Sequence, residues 1–236
     1  CVPLKVGERL IGVINAESDR PAAFSEADER LLTTVSGQLA IAIEKARLIE
    51  AQRRRLTELQ ALHSVSIALR AAHTLDEMLP RLLDETLTVL IAADGDIWLY
   101  DAGRTELQKE AARGWFAQVV ESPIQPGEGI AGQVLVNGQP HVSREFRLDQ
   151  LTRESAREQI PPGWGGACIP IRTANEVVGV MFISVYLPRE ILPDEVRLLT
   201  TLAEIAGNAT HRTRLRELTE RRLENLQSLR QIDKAI

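Results

Sequence analysis

The segment that decides the fold is SEADERLLTTVSGQLAIAIEKARLIEAQRRRLTELQALHSVSIALRAAH, residues 25–73. Its apolar residues recur at spacings of three and four, with one Gly and no Pro, which predicts one uninterrupted helix. Ser25 and Asp28 are placed to form a capping pair at its start. A helix of about 45 residues would be roughly 70 Å long at ~1.5 Å per residue, longer than a small domain is wide. We therefore expect it to leave one domain and enter another.

The apolar stripe of this helix predicts a helical partner. We expect it to pair with the same helix of a second chain, which gives a homodimer joined by coiled-coil-like connectors. The other use of such a stripe is packing on the helix's own domain. The stripe changes register near Arg53–Leu56, where a signal could be converted into helix rotation. The predicted dimer-helix residues are Leu32, Val35, Leu39, Ala42, Ile49, Leu56 and Leu59.

A long internal repeat divides the chain. Residues 1–69 align without a gap on residues 168–236, with about 20 identities where chance would give a handful. A repeat of this length corresponds to the end of a domain plus its connector rather than to a solenoid unit. We predict the C-terminal part of one domain in 1–50 (a hairpin plus a helix), a connector helix in 51–72, a complete domain in 73–217 and an outgoing connector helix in 218–236.

The order of predicted elements indicates the fold class. The complete domain reads as helix, two strands, short helix, strand, irregular segment, hairpin and long helix. This order is typical of an α+β domain in which helices pack on an antiparallel sheet. In the first predicted strand, Ile97 and Leu99 share one face, and Trp98 and Tyr100 share the other.

Composition and charge exclude several classes of protein. A net charge of −5 gives no electrostatic basis for binding nucleic acid. Two cysteines supply neither a disulfide framework nor a four-cysteine zinc site, and the histidines have no metal-ligand spacing. No apolar run is long enough to span a bilayer, so we expect a cytoplasmic protein without a membrane segment in this chain. Because the chain begins at Cys1 without Met, we expect it to belong to a longer protein.

Three segments in the same order resemble a known family. Residues 126–140, PGEGIAGQVLVNGQP, resemble the loop-and-helix segment of GAF domains. CIPI at 168–171 followed by VGVM at 178–181 resembles their last two strands, and FSEADERLL at 24–32 resembles the entry to their C-terminal helix. The resemblance implies a GAF/PAS-like regulatory fold that dimerises or binds a small molecule. It also implies an output domain such as a kinase or cyclase in the full-length protein.

Specialised members of that family differ from this sequence. The signature of cyclic-nucleotide-binding GAF domains is absent, and residues 141–165 contain no Cys that could attach a bilin. No haem attachment signature is present either, so the sequence names no cofactor. We expect a non-enzymatic sensor; a ligand-free dimerisation spacer is the first alternative, and a redox enzyme using Cys168 is the second.

The resemblance implies a ligand pocket between the sheet and residues 114–165. Aromatic residues with a few polar anchors are typical of such pockets. The candidate ligand-binding residues are Trp98, Arg113, Trp115, Phe116, Phe146, Asp149 and Trp164. The glycine pattern at 127–132 matches a dinucleotide fingerprint in letters, but no strand directly precedes it, so we expect a structural turn.

Overall fold

The computed structural model describes residues 1–72, 74–119 and 123–235, and it consists of two compact units, Cys1–Leu59 and Gln60–Ile236. His73, near which the sequence predicts the end of the long helix, lies outside the described residues. The predicted boundaries at 50, 72 and 217 stay a prediction.

The first unit consists of a hairpin and the first part of a long helix. Strand β1 (Val2–Val6) pairs antiparallel with β2 (Arg9–Ile14), and helix α1 runs from Glu26 to Ala71. The Ser25 backbone N–H donates to Asp28 at 2.8 Å, and the Asp28 N–H donates back to the Ser25 hydroxyl at 3.3 Å. The predicted cap and the single helix are therefore both confirmed.

The second unit contains a five-stranded antiparallel sheet with helices. Its strands have the order β4-β3-β7-β6-β5. This arrangement confirms the α+β class. The elements are α2 (Leu75–Leu90), β3 (Asp94–Asp101), β4 (Glu106–Arg113), α3 (Gly129–Asn137), β5 (His141–Ser143), α4 (Glu154–Arg157), β6 (Trp164–Arg172), β7 (Val177–Tyr186) and α5 (Pro193–Ala235).

Each face of the sheet has its own hydrophobic core. Ile97 and Leu99 of β3 point into a core that includes buried residues of α2 and α5 and the end of α1. Trp98 and Tyr100 lie on the opposite face, in a second core with α3 and the segments around it. The predicted division of β3 between two faces is confirmed, and it separates the structural helices from the layer that forms the cavity described below.

The repeat gives a second interpretation of the apolar stripe on α1. With the offset of 167 residues, Leu32, Val35, Leu39 and Ala42 correspond to Leu199, Leu202, Ala206 and Ala209 of α5. The four α5 residues are buried in the first core of their own unit. A domain of this fold therefore uses these positions for its own packing, while Ile49, Leu56 and Leu59 lie further along the helix. A dimer role for all seven residues stays a prediction.

The segment between β5 and β6 contains more structure than the sequence indicated. The irregular segment that the sequence predicts spans residues 144–165, but a 3₁₀ helix at Phe146–Leu148 and helix α4 lie within it. Helices of three and four residues are too short to produce a periodic pattern. The glycine pattern at 127–132 lies in a loop and the first turn of the nine-residue α3, as expected for a structural turn.

The backbone of Ile91, at the end of α2, is strained. Ile91 ends α2 with a φ of 51° and a ψ of 45°, the left-handed conformation that glycine adopts without cost. For a β-branched residue this conformation is a genuine outlier. The side chain is 89% exposed, so packing contributes little in return.

We predict that Ile91→Gly stabilises the second unit. The strain of a left-handed L-residue is on the order of 1–2 kcal/mol, so the free energy of unfolding should rise by about 1 kcal/mol. Urea denaturation followed by circular dichroism measures this change. Val136→Gly, at an exposed β-branched residue inside α3, is the matched control and should lower stability by about 1 kcal/mol. A loss of stability in Ile91→Gly would contradict the strain argument.

Candidate functional site

A small cavity lies within the second core, between the sheet and the segments that cover it. Its volume of about 50 Å³ leaves room for roughly three to five water-sized groups. Strands contribute its floor, and the 3₁₀ helix at Gly114–Ala117, α3 and the segment 146–160 contribute its walls. The lining residues are Asp96, Trp98, Trp115, Phe116, Ile124, Glu128, Gly129, Ile130, Ala131, Phe146, Thr152, Arg153, Ala156, Ile160 and Phe182.

The floor contains a carboxylate without any solvent exposure. Asp96 is 0% exposed, and its Oδ2 accepts a hydrogen bond from Trp98 Nε1 at 2.8 Å. Lys109 of the neighbouring strand places its Nζ 3.8 Å from the same oxygen and 5.0 Å from the centre of the Trp98 ring. A buried carboxylate is costly unless it is paired and hydrogen-bonded, and Lys109 and Trp98 meet both requirements.

The aromatic wall is positioned by a turn at the end of β4. Gly114 has a φ of +63°, and a Cβ there would lie 1.8 Å from Asp94 Oδ1. This oxygen accepts a hydrogen bond from the Trp115 backbone N–H at 2.8 Å. Burial raises the pKa of Asp94, although this hydrogen bond opposes the shift. The turn thus directs Trp115 and Phe116 into the second core.

The aromatic rings pack against one another around the cavity. The rings of Trp115 and Phe116 are stacked with centroids 3.8 Å apart. Phe146 meets Phe116 and Phe182 edge-on, at 6.4 and 5.9 Å between centroids. Such pairs contribute beyond the area they bury. The rings that form the walls therefore support one another.

An ion pair connects the two segments at one side of the cavity. Arg153 follows the 3₁₀ helix at Phe146–Leu148, and its Nη1 lies 3.4 Å from Glu128 Oε1. Glu128 Oε2 accepts a hydrogen bond from the Gln125 N–H at 3.0 Å. That hydrogen bond, with Arg153, outweighs desolvation and lowers the pKa of Glu128. Gly129 permits this approach, because a Cβ there would lie 2.7 Å from Arg153 Cγ.

The structure brings together four of the seven predicted lining residues. Trp98, Trp115, Phe116 and Phe146 line the cavity, and ligand binding by them stays a prediction. The other three residues lie elsewhere. The first, Arg113, donates through Nε and Nη2 to both carboxylate oxygens of Asp84 on α2.

The remaining two predicted residues have local partners. Asp149 Oδ2 lies 2.8 Å from His141 Nε2, and Trp164 packs edge-on against Tyr186 at 5.3 Å. Asp149 and Arg113 were candidates because they are polar residues in or next to the predicted pocket segment. Residue type alone does not distinguish a side chain that binds a ligand from one that makes a local structural contact.

Several lining residues were missed by sequence reasoning. Asp96 carries a usable signal, since a strand that alternates between two cores places it on the same face as Trp98. Thr152, Arg153, Ala156 and Ile160 lie in the segment without periodicity, where no pattern in the sequence singles them out.

Cys168 is buried in β6 and belongs to the second core. Burial raises the pKa of its thiol well above the ordinary value, and the Asp96 charge raises it further. A nucleophilic or redox cysteine requires an accessible thiolate. The geometry therefore opposes the redox alternative.

Neither a metal cluster nor a membrane span is found in the part of the chain that the structure describes. Groups of three or more His, Cys, Asp or Glu side chains that could hold a metal ion are absent from residues 1–72, 74–119 and 123–235. Within the same ranges no helix has the length and apolar character needed to cross a bilayer.

Comparison with known families identifies both units. A family model described as GAF domain matches residues 72–211. The chain belongs to the GAF domain family. A second model, also described as GAF domain, matches residues 1–45, so the family explains the internal repeat.

The chain is similar to a curated sensor protein over a limited region. It is 35% identical over 99 residues to the sensor histidine kinase YhcY of Bacillus subtilis (strain 168). The matched region covers 35% of this chain and 26% of that protein.

Solved GAF domains have a similar fold. The GAF domain of a phosphoenolpyruvate-protein phosphotransferase from Coxiella burnetii has a TM-score of 0.62 at 20% identity, covering 69% of this chain and 98% of that one. Free methionine-R-sulfoxide reductase from Neisseria meningitidis, solved with its substrate, has a TM-score of 0.56 at 14% identity, covering 67% and 90%. At these identities the likeness concerns the fold, and GAF-fold neighbours include an enzyme.

Asp149 holds the cavity-covering segment against β5 of the GAF domain. Burial raises the pKa of Asp149, but hydrogen bonds from His141, the Leu151 N–H and Ser143 outweigh burial and lower it. A carboxylate with a lowered folded-state pKa stabilises the fold above its unfolded pKa. This contribution is lost as the pH falls through the folded pKa.

We predict that Asp149→Asn lowers the free energy of unfolding at pH 7 by about 2 kcal/mol, because hydrogen bonds to a charged acceptor are lost. The difference from the wild type should narrow as the pH falls below about 4. Urea unfolding at pH 7, 5 and 3 measures it. Asp19→Asn, at an exposed aspartate, should leave the free energy of unfolding unchanged at all three pH values. A gap that stays constant down to pH 3 would disprove the charge argument.

Proposed function

We propose that this chain is a regulatory, sensory region of a signal-transduction protein. In this proposal, the complete GAF domain receives a small molecule in the aromatic cavity and transmits its state through α1 and α5 to an output domain outside this chain. Similarity to a sensor histidine kinase supports a sensory role and makes a kinase a reasonable output domain. The chain itself acts without catalysis.

The exposed apolar end of the α1 stripe carries the proposal. Leu56 and Leu59 are 52% and 51% exposed, although they continue an apolar pattern along the helix. Apolar side chains at helical spacing that stay exposed among the described residues are well suited to a second copy of the helix. We therefore infer a homodimer through Ile49, Leu56 and Leu59.

We predict that Leu56→Glu with Leu59→Glu converts the dimer to a monomer. Carboxylates in a helix–helix seam are desolvated and repel their copies across it, which costs several kcal/mol. Light scattering after size-exclusion chromatography should show the mass halved. Ala51→Glu with Thr57→Glu adds the same charge to exposed positions on another side of the helix and should leave the mass unchanged. Equal masses for both double variants would refute the seam.

A structural spacer without ligand is the second candidate. The small volume of the cavity and the mutual packing of its rings favour this function, since ligand pockets are usually several hundred Å³ in volume. In that case the helices would still pair, but the cavity would be part of the core.

We predict that native mass spectrometry of the protein purified from its source detects a bound small molecule. Ala156→Leu fills the cavity with a larger side chain and should remove the adduct, at a cost in stability of about 1–3 kcal/mol. Ala174→Leu, in the exposed turn between β6 and β7, should retain it. A bare protein mass for the wild type would favour the spacer.

A further inference from the structure

The chemistry of the cavity wall indicates a class of ligand. This inference depends on the proposed function, because it assumes that the cavity is a binding site. Hydrogen-bond donors are concentrated at the side formed by α3 and Arg153. Gly129, Ile130 and Ala131 line the cavity and form the first turn of α3, whose N–H groups have no partner within the helix. Such a turn favours negative charge.

A second donor faces the second core independently of that helix. Trp115 lines the cavity and is 8% exposed. Its indole Nε1 is buried and has no hydrogen-bond partner among the residues that the structure describes. A buried donor without an acceptor costs about 1–3 kcal/mol, which a ligand that brings an acceptor oxygen would recover.

Arg153 supplies the positive charge. Its side chain is 11% exposed, so a charge partner there interacts more strongly than at the surface. Its present partner, Glu128, is part-exposed and lies at the edge of the cavity, from which its carboxylate can turn into water. An incoming carboxylate can replace Glu128 as the partner of Arg153. The Arg153 guanidinium would then still be paired with one negative charge.

The remaining charges of the cavity do not select a cation. Asp96 already pairs with Lys109 and accepts from Trp98. The other lining side chains are aromatic or aliphatic except Thr152, whose hydroxyl donates to the Phe146 carbonyl. The volume admits only a few non-hydrogen atoms. A ligand must therefore be small and apolar, with its acceptor group at one end.

We propose that the cavity binds a small apolar carboxylate, whose carboxylate group replaces Glu128 on Arg153 and accepts from the first turn of α3. Isothermal titration calorimetry on the full chain tests this with acetate and propionate, which match the small volume of the cavity, with their neutral amides, and with propylamine. The carboxylates should bind at least about tenfold more tightly than the amides, because charge-assisted hydrogen bonds are stronger than neutral ones.

Two variants with opposite expected effects identify the position of the carboxylate. Glu128→Gln removes the competing charge and keeps an acceptor for the Gln125 N–H, so carboxylate affinity should rise about three- to tenfold. Arg153→Gln should lower it by about tenfold or more. Amide affinity should change little in either variant. Arg147→Gln, an exposed arginine in the same segment, should leave all affinities unchanged.

Three outcomes would overturn the inference. The inference is wrong if the amides bind as tightly as the carboxylates. It is also wrong if the carboxylate affinity does not rise in Glu128→Gln. Propylamine as the preferred probe would overturn the ligand class while leaving the cavity a binding site and the proposed function intact. If no probe binds to the wild type or to Glu128→Gln, the carboxylate class is wrong, and the adduct mass decides separately whether the cavity binds another ligand.

Discussion

The buried charge of Asp96 is the constraint on which the cavity side of the domain depends. A carboxylate in the centre of a sheet must be paired, and the ammonium of Lys109 reaches it from β4. The same ammonium donates to the backbone carbonyls of Phe116 and Val119, both at 3.1 Å. One pair of charges thus joins two strands to the segment that carries the aromatic wall.

The two faces of the sheet differ in composition and packing. The face with α2 and α5 is a close-packed aliphatic core, suited to transmitting displacements of the helices. The other face combines aromatic rings, two ion pairs and a cavity, and its cover consists of short helices and turns. In the proposed function, sensing and transmission lie on opposite sides of one sheet, with β3 and β7 between them.

The sequence predicted features that depend on periodicity or on self-comparison. Three such features have a regular pattern in the sequence: the capping pair at Ser25, the alternation of β3 and the repeat of the hairpin. The cavity was only partly predictable. The aromatic members were predicted because the family resemblance implies a pocket in this region and aromatic residues are typical of such pockets. Arg153 and Thr152, in contrast, lie in a segment of short helices. Arg113 and Asp149 were suggested by residue type, and only three-dimensional contacts reveal their local partners, Asp84 and His141.

The distribution of aromatic residues separates the two units optically. All three Trp and both Tyr belong to the second unit, and the first contains Phe24 but no indole or phenol ring. Indole and phenol absorbance and emission therefore report on Gln60–Ile236 alone, whereas peptide-bond signals report on both units. Comparing the two signals during heating shows, without any label, whether the repeat units melt together or one after the other.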